Sequence, residues 1–98
     1  MAKFVIKRGG KQEAFKPEKL KRSIRGACMD AHIPAAKRKR IVGRVSAPVL
    51  RFARRQKTVR AMALRKKVLA HLRKVEPMAA KAWLRHEKRR KARRKARR

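Results

Sequence analysis

The chain has 98 residues, with 35 lysines and arginines against 5 acidic residues and a formal net charge of +30 at pH 7. A folded domain with that charge repels itself unless anions neutralise it, which favours nucleic acid as the partner. Hydrophobic residues make up 43% of the chain. That share is enough for a small core and argues against a disordered polycation.

Several classes of function are excluded by what the sequence lacks. Cys28 is the only cysteine, so an internal disulfide or a cysteine-based zinc cluster cannot form. The three histidines have no metal-ligand spacing, and the five acids fall on different predicted elements, so we expect neither a metal site nor an enzyme. No apolar run approaches the roughly 20 residues of a membrane span, and no signal peptide is evident. We expect a cytoplasmic protein with no membrane partner.

Two short extended runs open the chain. The first covers residues 3–7 and is rich in β-branched and aromatic side chains, and the second covers residues 12–15. The pair Gly9-Gly10 between them predicts a β-hairpin. A hairpin alone is not stable in water, so we expect it to pack on helices.

Four helices are predicted after the hairpin. Proline is tolerated at a helix start, and three prolines precede helix-like patterns: Pro17, Pro34 and Pro77. Pro48 lies inside the second pattern and is expected to kink the helix or split it near Ser46. Thr58 is the expected N-cap of the third helix. The predicted order is therefore β-β-α-α-α-α.

The core is expected on the apolar faces of these helices. Their apolar residues recur at helical spacing: Leu20, Ile24, Ala27 and Cys28; then Ile41, Val45, Val49 and Phe52; then Ala61, Leu64, Val68, Leu72 and Val75; then Ala79, Ala82, Trp83 and His86. Phe4 and Phe15 are also assigned to the core. The aromatic residues therefore do not predict a base-stacking platform.

The C-terminal segment, residues 88–98, is a basic tail that contains nine of the lysines and arginines and no acid. Alanine, arginine and lysine favour helix, so the last helix is expected to extend into this tail once an anion relieves the repulsion. We divide the chain into a domain over residues 1–87 and the tail over residues 88–98.

Clusters of lysine and arginine also cover the body of the chain, without acids between them. This density suits contacts to phosphates rather than readout of bases. The candidate nucleic-acid-binding residues are Lys37, Arg38, Lys39, Arg40, Arg51, Arg54, Arg55, Lys57, Arg65, Lys66, Lys67, Arg89, Arg90, Lys91, Arg93, Arg94, Lys95, Arg97 and Arg98. Two settings fit: a nucleoid-associated protein on DNA, or a ribosome-associated protein on ribosomal RNA.

The N-terminal motif resembles the start of the ATP-cone domain. The sequence from Val5 to Phe15 is VIKRGGKQEAF, followed by Pro17-Glu18-Lys19-Leu20. ATP cones are regulatory nucleotide-binding domains of ribonucleotide reductases and of the repressor of their genes. The resemblance covers about residues 3–90, and it implies an α+β fold in which a short hairpin packs on about four helices.

The resemblance also implies a site for ATP or dATP. Its residues would be Lys7, Arg8 and Lys19 at the phosphates, Glu13 beside the nucleotide, Thr58 on the far wall and Lys88 closing the site from the last helix. The chain departs from the family at Gly9, where the family has an acid, at Lys16-Pro17, and in its high positive charge. The main expectation is therefore non-catalytic, sequence-independent nucleic-acid binding on a retained cone fold. The alternative is a regulatory module that senses ATP or dATP.

Overall fold

The computed structural model describes residues 4–7 and 10–96, and it has the expected α+β architecture. Three short strands and four helices follow in the order β-β-α-α-β-α-α. Their bounds are β1 Phe4–Ile6, β2 Gln12–Ala14, α1 Pro17–Asp30, α2 Ala35–Arg54, β3 Thr58–Arg60, α3 Ala61–Val75 and α4 Pro77–Ala96. The side chains of residues 90, 91 and 93–96 in α4 are outside this description.

The strands form one sheet in the order β2-β1-β3, with β1 in the centre. Val5 lies opposite Glu13 in the antiparallel pair with β2, and opposite Val59 in the parallel pair with β3. The turn of the hairpin needs Gly10, whose φ of 82° is a conformation that favours glycine. The predicted hairpin is confirmed, although Gly9 lies outside the described residues.

The helices pack as a ring around one core, because α1 and α3 each contact both α2 and α4. Each helix directs its apolar stripe inward, and the stripes predicted from the sequence supply the largest fully buried side chains. These are Ile24, Val45, Val49, Val68, Leu72 and Cys28. Burial of Cys28 also raises the pKa of its thiol, which keeps it protonated at neutral pH.

The proline rule places the helix starts correctly. Pro17 and Pro77 are the first residues of α1 and α4, and Pro34 directly precedes α2. Pro48 lies within α2, which continues through it, so the expected split near Ser46 is wrong. The last helix extends into the tail as far as Ala96. Within the described residues, no helix has the length and apolar character needed to cross a bilayer.

The segment around Thr58 contradicts the sequence prediction. Thr58 begins β3 rather than capping a helix, and α3 is preceded by Arg60, which makes no side-chain capping bond. The reason is tertiary: Val59 is buried because it pairs with β1. Two core assignments are also wrong, because Phe4 is 44% exposed and His86 is exposed at the surface.

The closed ring of helices predicts a large penalty for a cavity at its centre. Replacing Leu72, which is completely buried, by Ala should lower the free energy of unfolding by about 2–5 kcal/mol. The matched control is Leu84→Ala on α4. Leu84 is 39% exposed, so its replacement should lower the free energy of unfolding much less. Chemical denaturation of both variants measures the difference. Equal losses would contradict the core described here.

Candidate functional site

A cavity of about 640 Å³ lies between the hairpin, α1, α3 and α4. Its volume is in the range of small-molecule sites, roughly 300–1,000 Å³. None of its described lining residues comes from α2. The cavity therefore lies on the opposite part of the ring from α2, and residues far apart in the sequence build its walls.

One side of the cavity is a cluster of two lysines on a shared carboxylate. Glu13 Oε2 lies 3.1 Å from Lys7 Nζ and 3.7 Å from Lys19 Nζ. The hairpin register pairs Glu13 with Val5, and Lys7, two residues beyond Val5, is the diagonal neighbour of Glu13 on the same face of the hairpin, while the first turn of α1 brings Lys19 to them. We call these three residues the lysine clamp. Because it combines two cations with one acid, it retains a positive charge.

The electrostatics of Glu13 follow from this arrangement. The hydrogen bond from Lys7 is the largest effect on the pKa of Glu13 and lowers it. Desolvation, the second-largest effect, raises it, and the charges of Lys7, Lys19 and Lys11 each lower it further, so that the pKa lies below its ordinary value. The carboxylate is therefore ionised at neutral pH and holds both ammonium groups at the cavity.

The remaining charges around the cavity also favour an anion. Three more cations line it, Lys16, Arg22 and Arg65, against two more acids, Asp30 and Glu87. Cations therefore outnumber acids by two among the described lining residues. Within the described residues, no cluster of histidine, cysteine and carboxylate side chains suits a metal ion.

The other side of the cavity is apolar. Phe15, Leu20 and Met29 come from the hairpin and α1, and Trp83 comes from α4. Trp83 Nε1 and Glu87 Oε1 are buried and find no hydrogen-bond partner among the described residues. An unpaired buried polar atom is costly, so each of these atoms has the capacity to bond a water or a polar ligand.

The structure brings together three of the six residues that the resemblance nominated. Lys7, Glu13 and Lys19 meet at the cavity, whereas Thr58 and Lys88 are exposed and are not among its described lining residues. Arg8 lies outside the described residues. The roles of these residues toward a nucleotide stay predictions.

Sequence reasoning missed most of the remaining wall. On α1, Lys19, Ser23, Gly26 and Asp30 follow one another at spacings of three or four residues, so they share one face, and all of them line the cavity. This polar face, which lies beside the apolar stripe of α1, is the pattern in the sequence that could have indicated a wall of the cavity. Arg65 was assigned to nucleic acid, but it is half-buried and lines the cavity.

The predicted nucleic-acid-binding residues lie on α2, between α2 and β3, on α3 and in the tail. Residues 31–75 contain 15 lysines and arginines and no acid. Of the predicted residues in this stretch, Arg38 and Arg65 are half-buried. The others are exposed, namely Lys37, Lys39, Arg40, Arg51, Arg54, Arg55, Lys57, Lys66 and Lys67.

Two of these exposed cations have partners within the protein. Lys37 Nζ lies 3.2 Å from Glu76 Oε2, and Lys67 Nζ lies 4.9 Å from the centre of the Phe52 ring. In the tail, Arg89 is exposed on α4. The side chains of Arg90, Lys91, Arg93, Arg94 and Lys95, and all of Arg97 and Arg98, lie outside the described residues.

The fold and cavity together define a small α+β domain with a pocket suited to an anionic ligand. A family model described as the ATP cone domain matches residues 3–92 of the 98. The chain therefore belongs to the ATP-cone family, whose members are regulatory nucleotide-binding domains. The resemblance identified from the hairpin motif is confirmed. No curated protein resembles the chain closely enough to count as a match.

The lysine clamp predicts a measurable titration. Replacing Lys7 by Met should raise the pKa of Glu13 toward its ordinary value, because the main hydrogen bond is lost. In the wild type, a lowered pKa means that Glu13 adds stability above its unfolded pKa, about 4.3, and loses it as the pH falls through the folded value. An NMR titration of the wild type and of Lys7→Met measures the pKa of Glu13 in each protein. The control is Lys21→Met, which removes the partner of Glu18 instead. An unchanged Glu13 pKa in Lys7→Met would contradict the clamp.

Proposed function

We propose that this protein is a nucleotide sensor that binds ATP or dATP in the cavity. The observation that supports this most directly is the lysine clamp at the mouth of a cavity of about 640 Å³, in a chain of the ATP-cone family. Binding is regulatory and involves no chemical conversion of the nucleotide. A cytoplasmic location is part of this proposal, because both nucleotides are found there.

The two sides of the cavity suit the two ends of a nucleotide. The triphosphate would bind to the ammonium groups of Lys7 and Lys19. Lys16 and Arg22 also line the cavity. Phosphate oxygens would then replace or join the Glu13 carboxylate as partners of the two lysines. The base would lie against the apolar wall, where Trp83 offers an aromatic surface.

A second function is supported by the distribution of charge. We propose that the chain also binds nucleic acid without sequence preference, through phosphate contacts. Residues 31–75 combine 15 cations with no acid, whereas an ordinary soluble surface mixes charges of both signs. Both settings inferred from the sequence, the nucleoid and the ribosome, present a phosphate backbone to such a surface.

Nucleotide binding predicts a specific stabilisation. At a concentration one hundred times its dissociation constant, ATP or dATP should stabilise the fold by about 2.7 kcal/mol, seen as a shift in melting temperature. Lys7→Ala should remove most of that shift. Lys11→Ala is the matched control, because Lys11 is in the same hairpin but does not line the cavity.

Inorganic triphosphate at equal ionic strength is the second control for this measurement. A shift with triphosphate as large as the shift with ATP would show that the pocket recognises charge alone and would contradict adenine-nucleotide sensing. If Lys11→Ala lost the ATP-induced melting shift as Lys7→Ala does, ATP binding could not be assigned to the lysine clamp.

Nucleic-acid binding predicts a steep salt dependence. If about 6–10 phosphates are contacted, affinity should fall by roughly 10³–10⁵ between about 50 and 200 mM salt. Fluorescence anisotropy with a labelled duplex over a series of salt concentrations measures the slope. A slope near zero would contradict phosphate-driven binding.

A further inference from the structure

The outer face of α2 has a row of four arginines. Arg40, Arg44, Arg51 and Arg54 are all exposed, and Gly43 and Ala47 are the exposed small residues among them. We call these four arginines the α2 stripe. Arg40, Arg44, Ala47, Arg51 and Arg54 follow at spacings of three or four residues, so they share one face of the helix. At 1.5 Å per residue, the stripe is about 21 Å long.

The stripe is directly opposite the buried face of the same helix. Ile41, Val45 and Val49 fill the core and fix the rotation of α2, so the arginines cannot turn inward. No ion pair to any of the four arginines is formed within the described residues, and residues 31–75 contain no acid. The surface is therefore a row of cations with no internal counter-charge.

Gly43 leaves this face open to a close approach. Glycine in a helix interior is less favourable than alanine by roughly 0.5–1 kcal/mol. A Cβ atom at Gly43 would meet nothing within 4 Å, so no neighbour inside the fold requires glycine there. Gly26, on α1, is equally unobstructed, and it lines the cavity. Both helical glycines thus lie where an external ligand would contact a helix.

We propose that the α2 stripe is the docking surface for duplex DNA, with its arginines on the phosphates and Gly43 at the closest approach. This inference rests on the nucleic-acid binding proposed above. It is independent of the nucleotide site, because α2 contributes nothing to the described wall of the cavity. Arginine pairs well with phosphate because its planar guanidinium donates two parallel hydrogen bonds.

Helix geometry favours DNA over RNA. An α-helix with its side chains is about 10–12 Å across. The major groove of B-form DNA is about 12 Å wide and admits a helix, whereas the major groove of an RNA duplex is deep and narrow. A row of cations along one helix therefore reaches the phosphates on DNA more readily. The residues of α2 include no asparagine, glutamine or acid, so arginine and lysine are the main side chains of this helix that could contact phosphates or guanine.

The test compares two triple variants with the same change in charge. The first replaces Arg40, Arg44 and Arg51 by Gln. The matched control replaces Lys11, Lys81 and Arg85 by Gln, because these are three exposed cations outside the predicted nucleic-acid-binding set and none of them lines the cavity. Each purified full-length variant is titrated against a mixed-sequence DNA duplex and against the RNA duplex of the same sequence, over a series of salt concentrations.

We expect the α2 variant to lose affinity for DNA on the order of a hundredfold at 0.1 M salt, and its salt slope to become shallower by about three. The affinity of the control variant should change much less. Equal losses in the two variants, or tighter binding of the RNA duplex by the wild type, would overturn the α2 assignment. Failure of the wild type to bind either duplex would instead overturn nucleic-acid binding itself. The ATP-induced melting shift should be unchanged in both variants.

Gly43→Gln separates close approach from charge and from folding. This variant keeps every cation and favours the helix, so its melting temperature should not fall. We expect it to weaken DNA binding by about tenfold, because a long side chain among the arginines holds the duplex away from the helix. Ala70→Gln is the control, since Ala70 is an exposed helical residue on α3. Wild-type affinity in Gly43→Gln would contradict docking on the α2 stripe.

Discussion

Repulsion between like charges is the constraint under which this fold forms. With a net charge of +30 on 98 residues, each of the few carboxylates matters where cations are forced together. Glu13 holds two lysines from different elements at the cavity, and Glu76 ties the start of α2 to the junction of α3 and α4 through Lys37. Where no acid is present, on the outer face of α2, the cations point into solvent, where salt screens them.

The helices were predictable because their signals are local. Proline positions gave the helix starts, and the apolar stripes gave residues such as Ile24, Val45 and Leu72 that the structure buries completely. The strand β3 has no such signal. It is only three residues long, and Val59 becomes buried through parallel pairing with a strand more than fifty residues earlier in the chain. Since the pairing is tertiary, Thr58 offered only the local evidence of a helix cap.

The candidate site was only half predictable for a related reason. The family resemblance nominated Lys7, Glu13 and Lys19 together, because these residues belong to the one short stretch of sequence on which the resemblance rests. Arg65 and Glu87 reach the cavity from α3 and α4 by the closing of the helical ring. Nothing near them in the sequence indicates this, and a cluster of basic residues at 65–67 suggests a surface instead. Arg65 is half-buried whereas Lys66 and Lys67 are exposed, and this difference depends on how the helices pack.

The two proposed ligands would contact different parts of the ring. The cavity is built from the hairpin, α1, α3 and α4, and the stripe lies on α2 alone. Substitutions at one surface therefore leave the residues of the other in place. Any communication between them would have to pass through the shared core, where α2 packs against α1 and α3.

The central position of β1 has a consequence for how the chain is made. Synthesis begins at the N-terminus, so β1 and β2 are available early, but the second partner of β1 appears only when residues 58–60 have been translated. Until then one edge of β1 is unpaired. The cavity is finished later still, because Trp83 and Glu87 on α4 complete its wall. A nascent chain therefore acquires its hairpin lysines long before it has a pocket, and nucleotide recognition must wait until α4 has been translated.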